Sequence, residues 1–81
     1  MAERIRALLE DTKILAVPVD TLADSDDLYE AGLTSFGSVQ LMIALEEAFD
    51  LEFPERMLTR RTFSSIDAIA RSVSELAGEK V

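Results

Sequence analysis

In the last third of the chain, Ile66, Ile69, Val73 and Leu76 recur at spacings of three and four residues. Such a stripe lies along one face of an α-helix and needs an apolar partner to cover it. Residues 2–14 repeat the pattern, with Ile5, Leu8, Leu9 and Thr12 on one side and Arg4, Arg6, Glu10 and Asp11 on the other. Between these segments, Val39, Met42, Ile43, Leu45 and Phe49 mix with Gln40, Glu46, Glu47 and Asp50. That helix has a broad apolar surface, suited to contact with more than one neighbour, and is expected to be the central one. No segment alternates with the period of a strand. The expectation is an all-α bundle of three main helices, with a short helix at residues 54–58 before the last, started by Pro54.

The punctuation fits this order. Pro18 ends any continuation of the first helix and makes residues 17–19 extended. Residues 20–32 form a long loop, with Leu22, Leu28 and Tyr29 as anchors and a short turn at Asp24-Ser25-Asp26-Asp27. Gly32 punctuates the chain, and Thr34 or Ser35 supplies the N-cap of the second helix. Ser64 with Asp67 resembles a shortened capping box, and Gly78 is expected to stop the last helix. Met42, Met57 and Phe36 are assigned to packing.

Composition narrows the chemistry. With 81 residues the chain makes one domain with a thin core, taken as residues 1–81 with its core at about 5–76. It has no cysteine and no histidine, which removes disulfides, thiolate metal sites and the commonest general base. The composition argues against a self-contained hydrolase or zinc enzyme, and no catalytic or metal-binding residue is assigned. The acidic run from Asp24 to Glu30 lacks the glycine and ligand spacing of a calcium loop. No apolar run has signal-peptide character or membrane-spanning length, so the expected location is the cytoplasm, away from membranes.

The net charge is −8. Ten acids (Asp20, Asp24, Asp26, Asp27, Glu30, Glu46, Glu47, Asp50, Glu52 and Glu55) lie between Ile14 and Glu55 with no lysine or arginine among them. Nucleic acid would be repelled. The acids form either a solvated surface or a docking face for basic partners, with Glu46, Glu47 and Asp50 as the docking candidates.

Gly32-Leu33-Thr34-Ser35-Phe36 leads from the acidic loop into the second helix. Read by position alone, Ser35 is either a helix cap or an exposed hydroxyl whose attached phosphate would sit at the positive end of the helix. Ser38, one turn further on, has the same two readings.

Several segments together resemble the acyl carrier protein family. They are Asp27-Leu28, Gly32-Leu33-Thr34-Ser35-Phe36, the run from Val39-Gln40-Leu41 to Leu45-Glu46-Glu47-Ala48-Phe49, Leu51-Glu52-Phe53-Pro54-Glu55 and Phe63-Ser64-Ser65-Ile66. The resemblance covers about residues 5–76. It implies a small four-helix bundle in which Ser35 carries 4′-phosphopantetheine, taken from coenzyme A by a phosphopantetheinyl transferase. Thr34 and Phe36 flank that site. The arm would supply the thiol that the chain itself lacks. Arg56, Arg60 and Arg61 are then either solvated charge or contacts to a partner enzyme or to the cofactor phosphate.

The family's usual Asp-Ser-Leu is replaced by Thr34-Ser35-Phe36, and further acids by Gly37, Ser38 and Gln40. This variant looks like a subgroup of bacterial aminoacyl carrier proteins loaded by seryl-tRNA-synthetase-like amino acid:carrier protein ligases. The resemblance therefore implies a monomeric aminoacyl carrier protein, holding its amino acid as a thioester. The alternatives are a carrier of fatty or polyketide acyl groups and, in another class, an unmodified acidic helical adaptor.

Overall fold

The computed structural model describes residues 1–79, so the last two residues of the expected 1–81 domain lie outside the described residues. Three α-helices make up the frame: α1 (Ala2–Thr12), α2 (Ser35–Phe49) and α3 (Ile66–Glu79). Single 3₁₀ turns at Val19–Thr21 and Glu55–Met57 interrupt the two long connections. Among the described residues there is no strand.

Each helix turns its expected face inward. Ile5 and Leu9 of α1, Leu41 and Leu45 of α2, and Ile66, Ile69 and Val73 of α3 are almost completely shielded from water. Leu28, Phe53, Met57 and Phe63 are among the residues of the connections that join this core, and among the described residues no charged or polar side chain is buried. Helix α1 packs against both α2 and α3, whereas α2 and α3 touch less. The central helix is therefore α1, not α2 as the breadth of its apolar surface suggested. The surplus apolar surface of α2 faces water instead: Phe36, Val39 and Ile43 are all exposed.

Other boundaries also shift for local reasons. Helix α1 ends at Thr12 rather than near residue 14, because Lys13 takes the left-handed conformation and returns its N–H to the Leu9 carbonyl. The expected short helix is a 3₁₀ turn of Glu55–Met57 that follows Pro54. At the start of α3, Ser65 accepts from the Ala68 N–H at 3.0 Å, while the Ser64 hydroxyl donates to the Arg61 carbonyl. Ser65, not Ser64, is the cap. Gly78 does not stop α3, which continues through it to Glu79.

The long connection before α2 is tied at several points. Arg6, expected on the solvent side, instead donates to the Val19 and Leu22 carbonyls and pairs with Asp24 at 2.6 Å. The Asp27 carboxylate caps a turn through the Tyr29 N–H, and the Leu28 N–H reaches the Ser64 carbonyl. The Ala16 N–H donates to the Ala31 carbonyl at 2.9 Å. Next to it, Gly32 adopts a φ of +106°, and a Cβ there would lie 2.6 Å from the Ala16 Cβ. Both the conformation and the space demand glycine. Gly32→Ala is expected to lower stability by about 2–4 kcal/mol, the range for a strained backbone combined with a clash against the Ala16 backbone and Cβ. Urea denaturation followed by helical circular dichroism measures the change.

Candidate functional site

The site is built where that tethered connection enters α2. Thr34 is extended, and its Oγ1 accepts from the Gly37 N–H at 2.9 Å, making it the N-cap. Thr34 thus does the capping work that the family's usual aspartate could do, without its charge. Ser35 becomes the first helical residue and is exposed. The Ser38 hydroxyl donates to the Ser35 carbonyl at 2.7 Å. Among the described residues, none hydrogen-bonds the Ser35 hydroxyl. The two serines are thereby separated: Ser38 is engaged within its own turn, and Ser35 projects a free hydroxyl at the helix start.

Gly37 is buried where α2 passes close to α1's trailing segment. A Cβ at this position would meet Leu33, Thr34 and Ile14 at 3.2–3.5 Å. The small residue allows the first turn of α2 to sit flat against Leu33, which holds Ser35 and Phe36 outward. Phe36, expected as a packing residue, is 72% exposed. With Val39 and Ile43 it forms an apolar stripe at helical spacing along the outer face of α2. In sequence Val39 and Ile43 belong to the broad apolar surface of α2 expected to contact its neighbours, yet both are exposed. The available signal was that a helix apolar on most sides exceeds what so small a core can cover.

Of the docking candidates, Glu46, Glu47 and Asp50 line one shallow depression with Ile43. Their roles differ. The half-buried Glu46 accepts from the Phe53 N–H at 2.9 Å and so holds the connection after α2. Glu47 is exposed, and Asp50 ends α2 in the left-handed conformation. Arg4 reaches the same end of α2, donating to the Ala48 carbonyl at 2.6 Å with its guanidinium over Phe49. That cation complements the negative end of the helix.

On the other side of the Ser35–Val39 turn, a groove of about 300 Å³ opens between α2 and the connection to α3. Ser35 and Ser38 stand at its polar edge, with Met42 and Phe63 among its apolar walls. Arg60, whose guanidinium carbon lies 4.1 Å from the Tyr29 ring centre, lines another side. Among the described residues no cluster of acids suits a metal ion, and no helix is long and apolar enough to cross a membrane.

A free serine hydroxyl at the start of α2, on a small helical frame, is the arrangement that a carrier domain requires. Residues 3–77 match the family model described as phosphopantetheine attachment site. The chain belongs to this family of carrier proteins, whose cofactor is phosphopantetheine. It is 55% identical over 73 residues to an aminoacyl carrier protein of Agrobacterium fabrum, covering 90% of this chain and 88% of that one. In structure it is similar to a carrier protein from Agrobacterium tumefaciens, seen in complex with an engineered Bradyrhizobium japonicum glycine:[carrier protein] ligase and ATP. That match has a TM-score of 0.88 at 52% identity and covers 93% of this chain and 97% of the other. A glycylated carrier protein bound to the Bradyrhizobium japonicum ligase aligns with a TM-score of 0.75 at 27% identity, covering 88% and 95%.

The residues present fit the cofactor. The Ser35 hydroxyl has no competing partner, and it sits at the first turn of α2, where backbone N–H groups remain free for a phosphate. Since Thr34 holds that turn, Thr34→Ala is expected to cost about 1 kcal/mol of stability, and Thr34→Asp to restore most of it. Thermal unfolding of the three proteins provides the comparison.

Proposed function

We propose that this chain is an aminoacyl carrier protein whose phosphopantetheine is attached through Ser35. The observation that carries the reading is the free Ser35 hydroxyl, at the first turn of α2, in a chain 55% identical to an aminoacyl carrier protein. When bound, the cofactor supplies a flexible arm ending in the thiol that holds an activated amino acid. The chain has no histidine and no base bonded to Ser35, so it offers an acceptor oxygen and leaves proton removal to another protein. A phosphopantetheinyl transferase fits that need: the serine oxygen attacks the phosphorus of coenzyme A that bears the pantetheine, the pyrophosphate bond breaks so that adenosine 3′,5′-bisphosphate leaves, and the transferase removes the serine proton.

An ATP-dependent amino acid:carrier protein ligase then loads the arm, as the solved complexes of similar carriers suggest for this chain. Docking is assigned to the outer face of α2. There Phe36, Val39 and Ile43 offer apolar contact, and Glu47 and Asp50 add negative charge beyond them. An exposed aromatic with an acidic rim suits a partner with a pocket and basic residues. The whole chain acts as one carrier domain, monomeric and cytoplasmic, and what it contributes is a held position rather than bond making.

Incubation of the apo-protein with coenzyme A and a phosphopantetheinyl transferase tests the anchor by intact mass. The protein and its Ser38→Ala variant are expected to gain one phosphopantetheine, and Ser35→Ala none. Gain by Ser35→Ala overturns the assignment. Given ATP, a free amino acid and such a ligase, the holo-protein is expected to take up the aminoacyl group on its thiol; loading only by fatty-acyl synthetases overturns the aminoacyl reading. Phe36→Ala is expected to raise the ligase's KM for the carrier about tenfold, the size of a lost interface anchor, with kcat little changed.

A further inference from the structure

We infer that the phosphopantetheinyl transferase docks on the loop side of Ser35, over Val17 and the carboxylates of Asp26, Asp27 and Glu30, and not along the outer face of α2. The inference rests on the attachment at Ser35 proposed above.

The transferase must come closer to Ser35 than the ligase does. During loading, the reacting thiol stands at the end of a flexible arm, so the ligase need not cover the residues next to the serine. During attachment, the serine oxygen itself bonds to the phosphorus of coenzyme A. The surface within a few residues of Ser35 must then lie against the transferase. A site that holds the phosphates of coenzyme A needs cationic side chains, and their field extends to the rim of the enzyme. Carboxylates close to Ser35 complement such a rim.

Those carboxylates lie on one side only. Along α2 the chain is neutral from Ser35 to Leu45. The first acid, Glu46, comes about 16 Å along the axis at ~1.5 Å per residue, and it is engaged by the Phe53 N–H. In the loop, Glu30 is only five residues before Ser35, with Asp26 and Asp27 just upstream. The three share a depression of about 290 Å³ that no cation lines. Backbone N–H groups of Ala23 and Tyr29 fix the carboxylates of Asp26 and Asp27. Glu30 is exposed, and among the described residues its carboxylate pairs with no cation.

An apolar contact stands in the same place. The Ala16 N–H is bound to the Ala31 carbonyl, and Ala16 lies against Gly32, three residues before Ser35. This tie holds Val17, 39% exposed, at the edge of the depression that Glu30 lines. Pro18, with its φ fixed at −62°, stiffens the segment from the other side. An exposed aliphatic side chain framed by carboxylates suits a partner that brings one apolar contact among lysines or arginines. The ligase is assigned a different surface, the Phe36, Val39 and Ile43 stripe of α2. Two enzymes that need the same residue at different times thereby have separate faces to bind.

The test compares apo-protein of the native sequence with Glu30→Gln, Glu30→Lys, Val17→Ser, Phe36→Ala and Glu3→Gln, each checked for native helicity by circular dichroism. Transfer from coenzyme A by a phosphopantetheinyl transferase is followed by intact mass at low carrier concentration, which reports kcat/KM, in low and high salt. At low salt Glu30→Gln and Val17→Ser are each expected to lower kcat/KM about three- to tenfold, the size of rim contacts in a steered encounter, and Glu30→Lys further. High salt should slow the native protein and narrow its lead over Glu30→Gln, which a folding fault in the variant would not do. Glu3→Gln removes the same charge at the opposite end of α1 and should change the rate by less than about twofold. Once converted to holo-protein, Glu30→Gln and Val17→Ser should be loaded by the ligase as the native protein is. Equal losses in Glu3→Gln and Glu30→Gln, equal losses with transferase and ligase, or slowed transfer in Phe36→Ala alone overturns this inference while the attachment stands. Failure of the native apo-protein to gain the mass overturns both.

Discussion

Gly32 lies against Ala16 with its backbone in a conformation open only to glycine, and the 16–31 backbone hydrogen bond closes the contact. The path from α1 to the start of α2 depends on this approach. The connection is long and carries no secondary structure beyond single turns, so loop entropy would let it wander. Instead Arg6 holds its first part through two carbonyls and Asp24, and Leu28 is buried in the core while its N–H is bound by Ser64. A segment that is acidic and polar in composition is thereby tied to the helical frame at several points. The serine at its end is delivered to one place.

Within three residues, that delivery divides its tasks. Thr34 satisfies the helix terminus, Ser35 keeps its hydroxyl unengaged, and Phe36 stands in water. Had Ser35 been the cap, its oxygen would be occupied by a backbone N–H and its side chain turned back on the helix. Moving the cap one residue earlier resolves the conflict between ending a helix properly and presenting a nucleophile. The buried Gly37 has a related effect, since a larger side chain there would push the first turn away from Leu33 and Ile14.

Much of the frame was legible in the residues. Ile66, Ile69, Val73 and Leu76 are all buried as their spacing requires, and so are Ile5 and Leu9. Periodicity reports on one helix at a time, and it succeeded where a single face carries the pattern. It misled at α2, where apolar residues occur on several sides. Leu41 and Leu45 go inward while Val39 and Ile43 go outward, and no local rule separates the two pairs. It also misassigned Arg6, whose three partners lie 13 to 18 residues away in sequence. The helix ends erred by a residue or two because Lys13 and Ser65, rather than their neighbours, took the special conformations.

From the sequence alone came the three helices, their inner stripes, the absence of histidine and cysteine chemistry, and a serine at a helix start within a carrier-like series of landmarks. Those properties are local or compositional, so they survive without knowledge of the neighbours. Tertiary structure decided that α1 sits in the middle, that Ser35 rather than Ser38 has the unengaged hydroxyl, that the Phe36–Ile43 stripe faces water, and that Arg60 stacks on Tyr29 beside a groove. Each of these depends on which surfaces distant segments cover. Exposure is what remains after packing, and packing is set by all the elements together.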